Sequence, residues 1–151
     1  MALKEQITAE MKAALLGGDR FVGDTLRNLK AAILNEEVAM GKRDEGLGDA
    51  EIETVIAREV KKRHESSRLY RDNNRPELAE PEELEAAILQ RYLPAQLSEA
   101  ELTDLVKAKI QELDATGPQA MGQVMGAIKG ELGNKADGAL LARLVKEQLQ
   151  N

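Results

Sequence analysis

Apolar residues in this chain recur every three or four positions from one end to the other, and no stretch alternates with the period of two that a half-buried strand requires. That periodicity restricts the chain to packed helices, each with one stripe to bury. Leu3, Ile7, Met11 and Leu15 draw the first stripe, which stops at Gly17-Gly18. A second begins near Asp19 with Val22, Leu26, Leu29, Ile33 and Met40 on one face, and ends in the glycine-rich charged loop Gly41 to Gly48. Asp49 is placed to cap a third helix that carries Ile52, Ile56 and Val60 and runs to about Asn73. Proline fits the first turn of a helix but not its interior, so Pro76 and Pro81 predict a single turn followed by a helix from Pro81 to Tyr92.

Pro94 ends that helix, and Ser98 with Glu101 forms the S-x-x-E pattern in which side chain and backbone cap each other at a helix start. Three more stripes follow. Leu102, Leu105, Val106, Ile110 and Leu113 are closed by Gly117-Pro118; Met121, Val124, Met125, Ile128 and Leu132 come next; Leu140, Leu141, Leu144, Val145 and Leu149 follow a cap at Asp137. The expected fold is all-α: an N-terminal helical domain of about four helices over residues 1–94, then a three-helix tail bundle over residues 95–151.

The chemistry available is narrow. There is no cysteine, so disulfides, thiolate metal sites and a cysteine nucleophile are excluded, and no apolar run nears the roughly 20 residues of a membrane span. A cytoplasmic protein without a membrane contact is expected. His64 is the one histidine, but Lys61 and Arg68 flank it at helical spacing and Val60 occupies the i−4 ligand position, which suits neither a metal nor a triad. No Gly-rich phosphate loop is present, so no cofactor and no catalytic residue is assigned. A net charge of −6 argues against general nucleic-acid or DNA binding, because phosphate contacts supply most non-specific affinity. Any RNA contact must come from a local patch.

Three constellations stand out. Glu36 shares the face of Leu29, Ile33 and Met40, while Glu59 and Arg63 lie at i, i+4 on the apolar face of the third helix. Charges there need partners, and Glu36 reaching Arg63 across a helix interface would complete a partly buried ion network; a substrate-binding carboxylate cluster is the alternative. Lys61, Arg68, Arg71 and Arg75 form the strongest basic stripe, on the outward side of the same helix, readable as a solvated face or as a phosphate contact. Gly122, Gly126 and Gly130 make a bare ridge along the sixth helix. Each glycine costs roughly 1 kcal/mol relative to alanine in a helix interior, so the ridge implies close approach, either of a neighbouring helix or of an RNA backbone or partner.

Four stretches together resemble the GatB/YqeY family, in order and at its spacing: Leu26 to Val38, Arg58 to Ser66, Gln90 to Leu102 and Met121 to Leu149. The resemblance implies a helical N-terminal domain and a tail module. A similar module ends the B subunit of the aminoacyl-tRNA amidotransferase, a carbon-nitrogen ligase with glutamine as nitrogen donor, where it grips tRNA while the catalytic core lies elsewhere. The family's turn motif G-[KR]-A-D-G falls on Asn134, Lys135, Ala136, Asp137 and Gly138, with asparagine replacing the first glycine as the residue next most tolerant of positive φ. Gly126 stands where the family often has lysine.

The resemblance therefore implies a tRNA-related adaptor, not itself carrying the catalytic core. It would bind tRNA weakly through Lys129, Lys135, Arg143 and Lys146 in the tail and through the Lys61 to Arg75 stripe, alongside a protein partner such as an amidotransferase or synthetase. A small enzyme acting on an amide or amino group around Glu36, Glu59 and Arg63, and a structural partner with no RNA role, are the other readings.

Overall fold

The computed structural model describes residues 2–150, and among them every regular element is a helix. The chain divides into two compact units, residues 1–93 and 94–151.

The first unit holds α1 (Leu3–Leu16), α2 (Arg20–Ala39), α3 (Asp49–Asp72) and α4 (Pro76–Gln90). Asp19 caps α2 by accepting from the Val22 amide at 3.2 Å. The residue capping α3 is Gly48 rather than Asp49; its amide donates to Glu51 at 3.2 Å, and Asp49 becomes the first helical residue. Asp49 is instead used tertiarily, its Oδ1 accepting from the Leu3 amide at 3.0 Å and tying α1 to the start of α3. Pro81 also departs from expectation. It lies inside one continuous α4 that starts at Pro76, and no separate turn precedes it. Packing decides the matter: Ala79 is fully buried and Ser67 on α3 donates to Glu83 on α4 at 2.7 Å, so the helix is held on both sides of the proline that removes one ladder donor.

The core of this unit is built from Leu3 and Ile7 of α1, Leu26, Leu29 and Ile33 of α2, Ile52, Val55, Ile56 and Val60 of α3, and Ala86, Ile88 and Leu89 of α4. Met40, expected on the same stripe, is the residue that ends α2, and it is largely exposed. The loop from Gly41 to Gly48 contributes Leu47 to the core, so it is not a free excursion.

The second unit packs α5 (Glu99–Leu113), α6 (Met121–Leu132) and α7 (Gly138–Gln150) around Leu102, Val106, Val124, Ile128, Leu141, Leu144 and Val145. Ser98 and Glu101 form both bonds of the reciprocal cap, at 3.1 and 3.3 Å. Asp137 accepts from the Ala139 amide at 3.3 Å at the head of α7. Between α6 and α7 the turn reverses at Gly133, with φ 56° and ψ −127°, a conformation open to glycine alone. The left-handed residue of this turn is therefore Gly133, and Asn134 does not take the positive φ assigned to it from the motif.

Candidate functional site

The charged centre of the first unit exists, with different partners. Arg63 is 11% exposed; it donates to Glu59 on its own helix at 3.1 Å and to Glu85 on α4 at 2.9 Å. Glu36 does not reach Arg63. Its partner is Arg58 at 3.1 Å, more than one turn earlier on α3, and this pair is far more open to water. The error has a geometric source: helical spacing places Arg63 on the α4 side of α3, where Glu85 is the carboxylate within reach. Burial pushes the Glu59 carboxyl up, but hydrogen bonds from Lys62 and Arg63 more than reverse this, so it titrates below its ordinary value.

Glu37, which no motif singled out, is the most enclosed charge in this unit, at 2% exposure. Its Oε2 accepts from Lys4 Nζ at 2.8 Å and from the Leu47 amide at 3.0 Å. The Lys4 bond holds its carboxyl below the ordinary range against the opposing effect of burial, and the Leu47 amide adds to it. Gly46 passes so close, at φ 78°, that a Cβ would stand 3.3 Å from the same oxygen. One carboxylate thus binds α1, α2 and the Gly41–Gly48 loop together. It was legible only as the position at i+4 from Ile33, on a face otherwise apolar.

The basic stripe on α3 is largely neutralised by the fold. Arg71 clamps Glu83 with bonds of 2.6 and 2.9 Å, and together with Ser67 it lowers the Glu83 carboxyl to about 2. Arg75 pairs with Glu77 at 2.7 Å. Lys61 and Arg68 make no ion pair among the described residues, but exposed Glu65 and Asp72 share their face at helical spacing.

The tail is arranged otherwise. Lys129, Lys135 and Lys146 are exposed and make no ion pair among the described residues. Arg143 is not free: it is held by Glu99 at 2.8 Å and Glu147 at 3.0 Å. Lys109, unremarked in the sequence, is nearly buried and joins α5 to α6 through Glu112 at 3.0 Å and Glu131 at 2.5 Å, contacts that raise its pKa, Glu131 foremost.

Gly122, Gly126 and Gly130 are all exposed, and a Cβ built on any of them meets nothing within 4 Å. The reading of the ridge as a seat for a neighbouring helix is therefore overturned. Helical geometry turns this row nearly opposite the Val124 and Ile128 face that enters the core, with Lys129 at its border.

The four helices of the first unit and the α5–α7 bundle of the second, with the stretches that reproduce a known pattern, agree with a match to the YqeY-like protein description spanning residues 4–149. The chain belongs to the YqeY-like protein family. Among relatives, this YqeY-like chain is 25% identical over 146 residues to "Altered inheritance of mitochondria protein 41, mitochondrial" of Pyrenophora tritici-repentis, covering 94% of this chain and 78% of that one. Proteins of the same name from Eremothecium gossypii and Lachancea thermotolerans are 31% and 30% identical over 71% and 72% of this chain. The matched region spans 58% of the length of each of those two relatives. Their names place those relatives in mitochondria; the cytoplasmic expectation for the YqeY-like chain gains no support from them.

Among the described residues of this YqeY-like protein, no helix is long and apolar enough to cross a membrane, and no group of three His, Cys, Asp or Glu side chains is placed to hold a metal ion. Two shallow hollows, of about 500 and 440 Å³, are lined by Asp104, Lys107, Gln111 and Gln148 in the tail and by Lys4, Glu5, Thr8, Ala9 and Lys12 along α1. Neither involves Glu36, Glu59 or Arg63.

Proposed function

We propose that this chain is a tRNA-related adaptor whose tail unit touches the RNA backbone and which works beside a protein partner of the amidotransferase or synthetase class. The observation that carries the reading is the outward face of α6. Three glycines stand exposed there with no structural use inside the unit, Lys129 borders them, and Lys135 follows in the turn beyond Leu132. A helix face without side chains lets a sugar-phosphate strand approach the peptide backbone, and unpaired lysines beside it supply the charge.

The paired state of the other cations shapes the reading. Arg71, Arg75 and Arg143 must break ion pairs before they meet a phosphate, so the contacts reduce in the tail to Lys129, Lys135 and Lys146, and on α3 to Lys61 and Arg68, which stand beside the exposed acids Glu65 and Asp72. The tail's three contacts, at roughly 0.7 to 0.9 log unit each, imply a salt slope of about −2 to −3 and weak binding at physiological ionic strength. The enzyme reading around Glu36, Glu59 and Arg63 draws no support, since each carboxylate is engaged by an arginine.

Titration of labelled tRNA at several salt concentrations tests the proposal. Wild type binds at low salt and loses affinity steeply as salt rises. Lys135→Ala lowers the slope by about one unit, whereas Arg143→Ala changes it less, because that guanidinium is already neutralised locally. Binding that is undetectable at low salt, or indifferent to Lys129, Lys135 and Lys146, removes the RNA reading and leaves a purely protein-binding adaptor.

A further inference from the structure

The residues that precede α5 do more than connect. Pro94 to Leu97 run alongside the turn that joins α6 to α7, some 38 residues away in sequence, and take up its backbone oxygens. Gln96 Nε2 donates to Asn134 O at 2.7 Å, and with its second proton to Pro94 O at 3.1 Å. The Leu97 amide donates to Lys135 O at 2.9 Å. The Leu97 side chain joins the partly buried margin of the tail core, as does Ala136 beside the turn.

The turn needs such help. Residues 133–135 form one 3₁₀ turn entered through Gly133 in a strained, glycine-only conformation, and Ala136 leaves it extended with φ −120° and ψ 134°. Carbonyls at that point have left the helical ladders on both sides, so the strap of residues 94–97 supplies donors that neither helix offers. Lys135 projects from this turn, exposed and without an ion-pair partner among the described residues.

We infer that Gln96 is a positioning residue: with Leu97 it clips the 133–136 turn and so holds Lys135 for an anionic backbone. Because residues 94–97 are also where the chain leaves the first unit, the clip couples the path of the linker to the presentation of the tail's cation. This rests on the reading of the tail as an RNA contact, and it adds a residue that carries no charge and touches no ligand.

The test uses the full chain with Gln96→Ala and Gln96→Glu; glutamate cannot donate to either carbonyl and sets a negative charge beside them. Hydrogen exchange at residues 133–138 should quicken by about threefold to tenfold in both variants, the range expected for losing one or two modest hydrogen bonds, while exchange in α5 near Val106 stays unchanged. Affinity for unfractionated tRNA at low salt should fall in both; in Gln96→Ala the salt slope stays unaltered because no charge has changed, whereas the added carboxylate of Gln96→Glu, like Lys135→Ala, lowers it. Unchanged exchange at the turn overturns the clip. Faster exchange with full tRNA affinity overturns the positioning role. Absence of tRNA binding by wild type overturns the RNA reading and the positioning role with it, and the exchange experiment still decides whether the clip exists.

Discussion

The two units bury their stripes in the same way but enclose charges of opposite sign. In the first, carboxylates are drawn inward and answered, Glu37 by Lys4 and the Leu47 amide, Glu59 and Glu85 by Arg63, while the more open Glu83 is held by Arg71 and Ser67. In the second, one cation, Lys109, is drawn in and answered from the rim, while Lys107, Lys129, Lys135, Lys146 and a row of glycines are left facing water. Paired buried charge fixes how helices register against each other; unpaired surface charge beside bare backbone does nothing for the fold. The contrast teaches that removing a partner from an enclosed charge should weaken the first unit, whereas removing a surface lysine of the tail should leave its fold unchanged.

The largest effect that sharpens this contrast comes from Lys4→Met. The variant leaves Glu37 enclosed with only the Leu47 amide, and at pH 7 the carboxyl can escape only by taking a proton. That escape costs about 1.4 kcal/mol per pH unit above its ordinary pKa near 4.3, which bounds the loss at about 2 to 4 kcal/mol. Both tyrosines, Tyr70 and Tyr92, lie in the first unit and none in the tail, so tyrosine fluorescence in a urea titration reads the first unit alone. Its transition should move to lower urea. In wild type the folded carboxyl titrates below its ordinary value, so its contribution is complete above about pH 4.3 and is lost as pH falls through the folded value. In Lys4→Met the sign reverses: the carboxyl rises, and the unit gains stability on acidification from pH 7 toward its ordinary pKa. A loss below 1 kcal/mol, with no reversal, would show that Glu37 reaches water.

Arg63→Ala comes second. Glu85 is partly open to solvent and Glu59 keeps Lys62 at 3.1 Å, so less is stranded than at Glu37, and a loss of about 1 to 3 kcal/mol is expected in the same fluorescence transition. A cycle with Glu85→Ala should return a coupling of about 0.5 kcal/mol or more, whereas Arg63 with Glu36→Ala should be additive. Additivity with Glu85, or coupling with Glu36, would contradict the partners seen here.

Helix number, order and stripes were legible because packing follows a period that sequence displays directly: Leu26, Leu29 and Ile33, or Leu141, Leu144 and Val145, can face only one way. Asp19, Ser98 and Asp137 were legible as caps because their side chains act on residues two or three positions away. The misses share one property, that a distant segment decides them. Pro81 stays helical because α3 holds α4; Arg63 pairs with Glu85 because of how α3 and α4 lie; the loop after α2 is ordered because Glu37 and Lys4, 33 residues apart, meet beside it. Spacing within one helix named Glu59 and Arg63 correctly and could not choose between Glu36 and Glu85. The glycines of α6 were visible, but whether anything covers them depends on where α5 and α7 sit.

The smallest effect separates the units most directly, because one substitution made in each should have opposite signs. Gly23, in α2, is buried, and a Cβ there would lie 2.4 Å from Leu15 Cδ2 and 2.7 Å from Leu15 Cγ on α1. Gly23→Ala gains helix propensity but forces Leu15 aside, for a net loss of about 1 kcal/mol in the fluorescence transition. Gly126, in α6, meets open space, so Gly126→Ala should stabilise the tail by about 0.5 to 1 kcal/mol, through helix propensity and a less flexible unfolded chain. With no aromatic residue in the tail, the gain is read as a later thermal loss of helical circular dichroism that tyrosine fluorescence does not share. The same variant should bind tRNA more weakly at low salt, since a methyl group now stands where the backbone was bare, while its salt slope stays as in wild type because no charge has changed. A tail made more stable and less able to bind is what a glycine kept for contact rather than for folding requires. If Gly126→Ala binds as well as wild type, the ridge is idle and the lysines alone carry the contact; if it destabilises the tail, something within the unit uses that face after all.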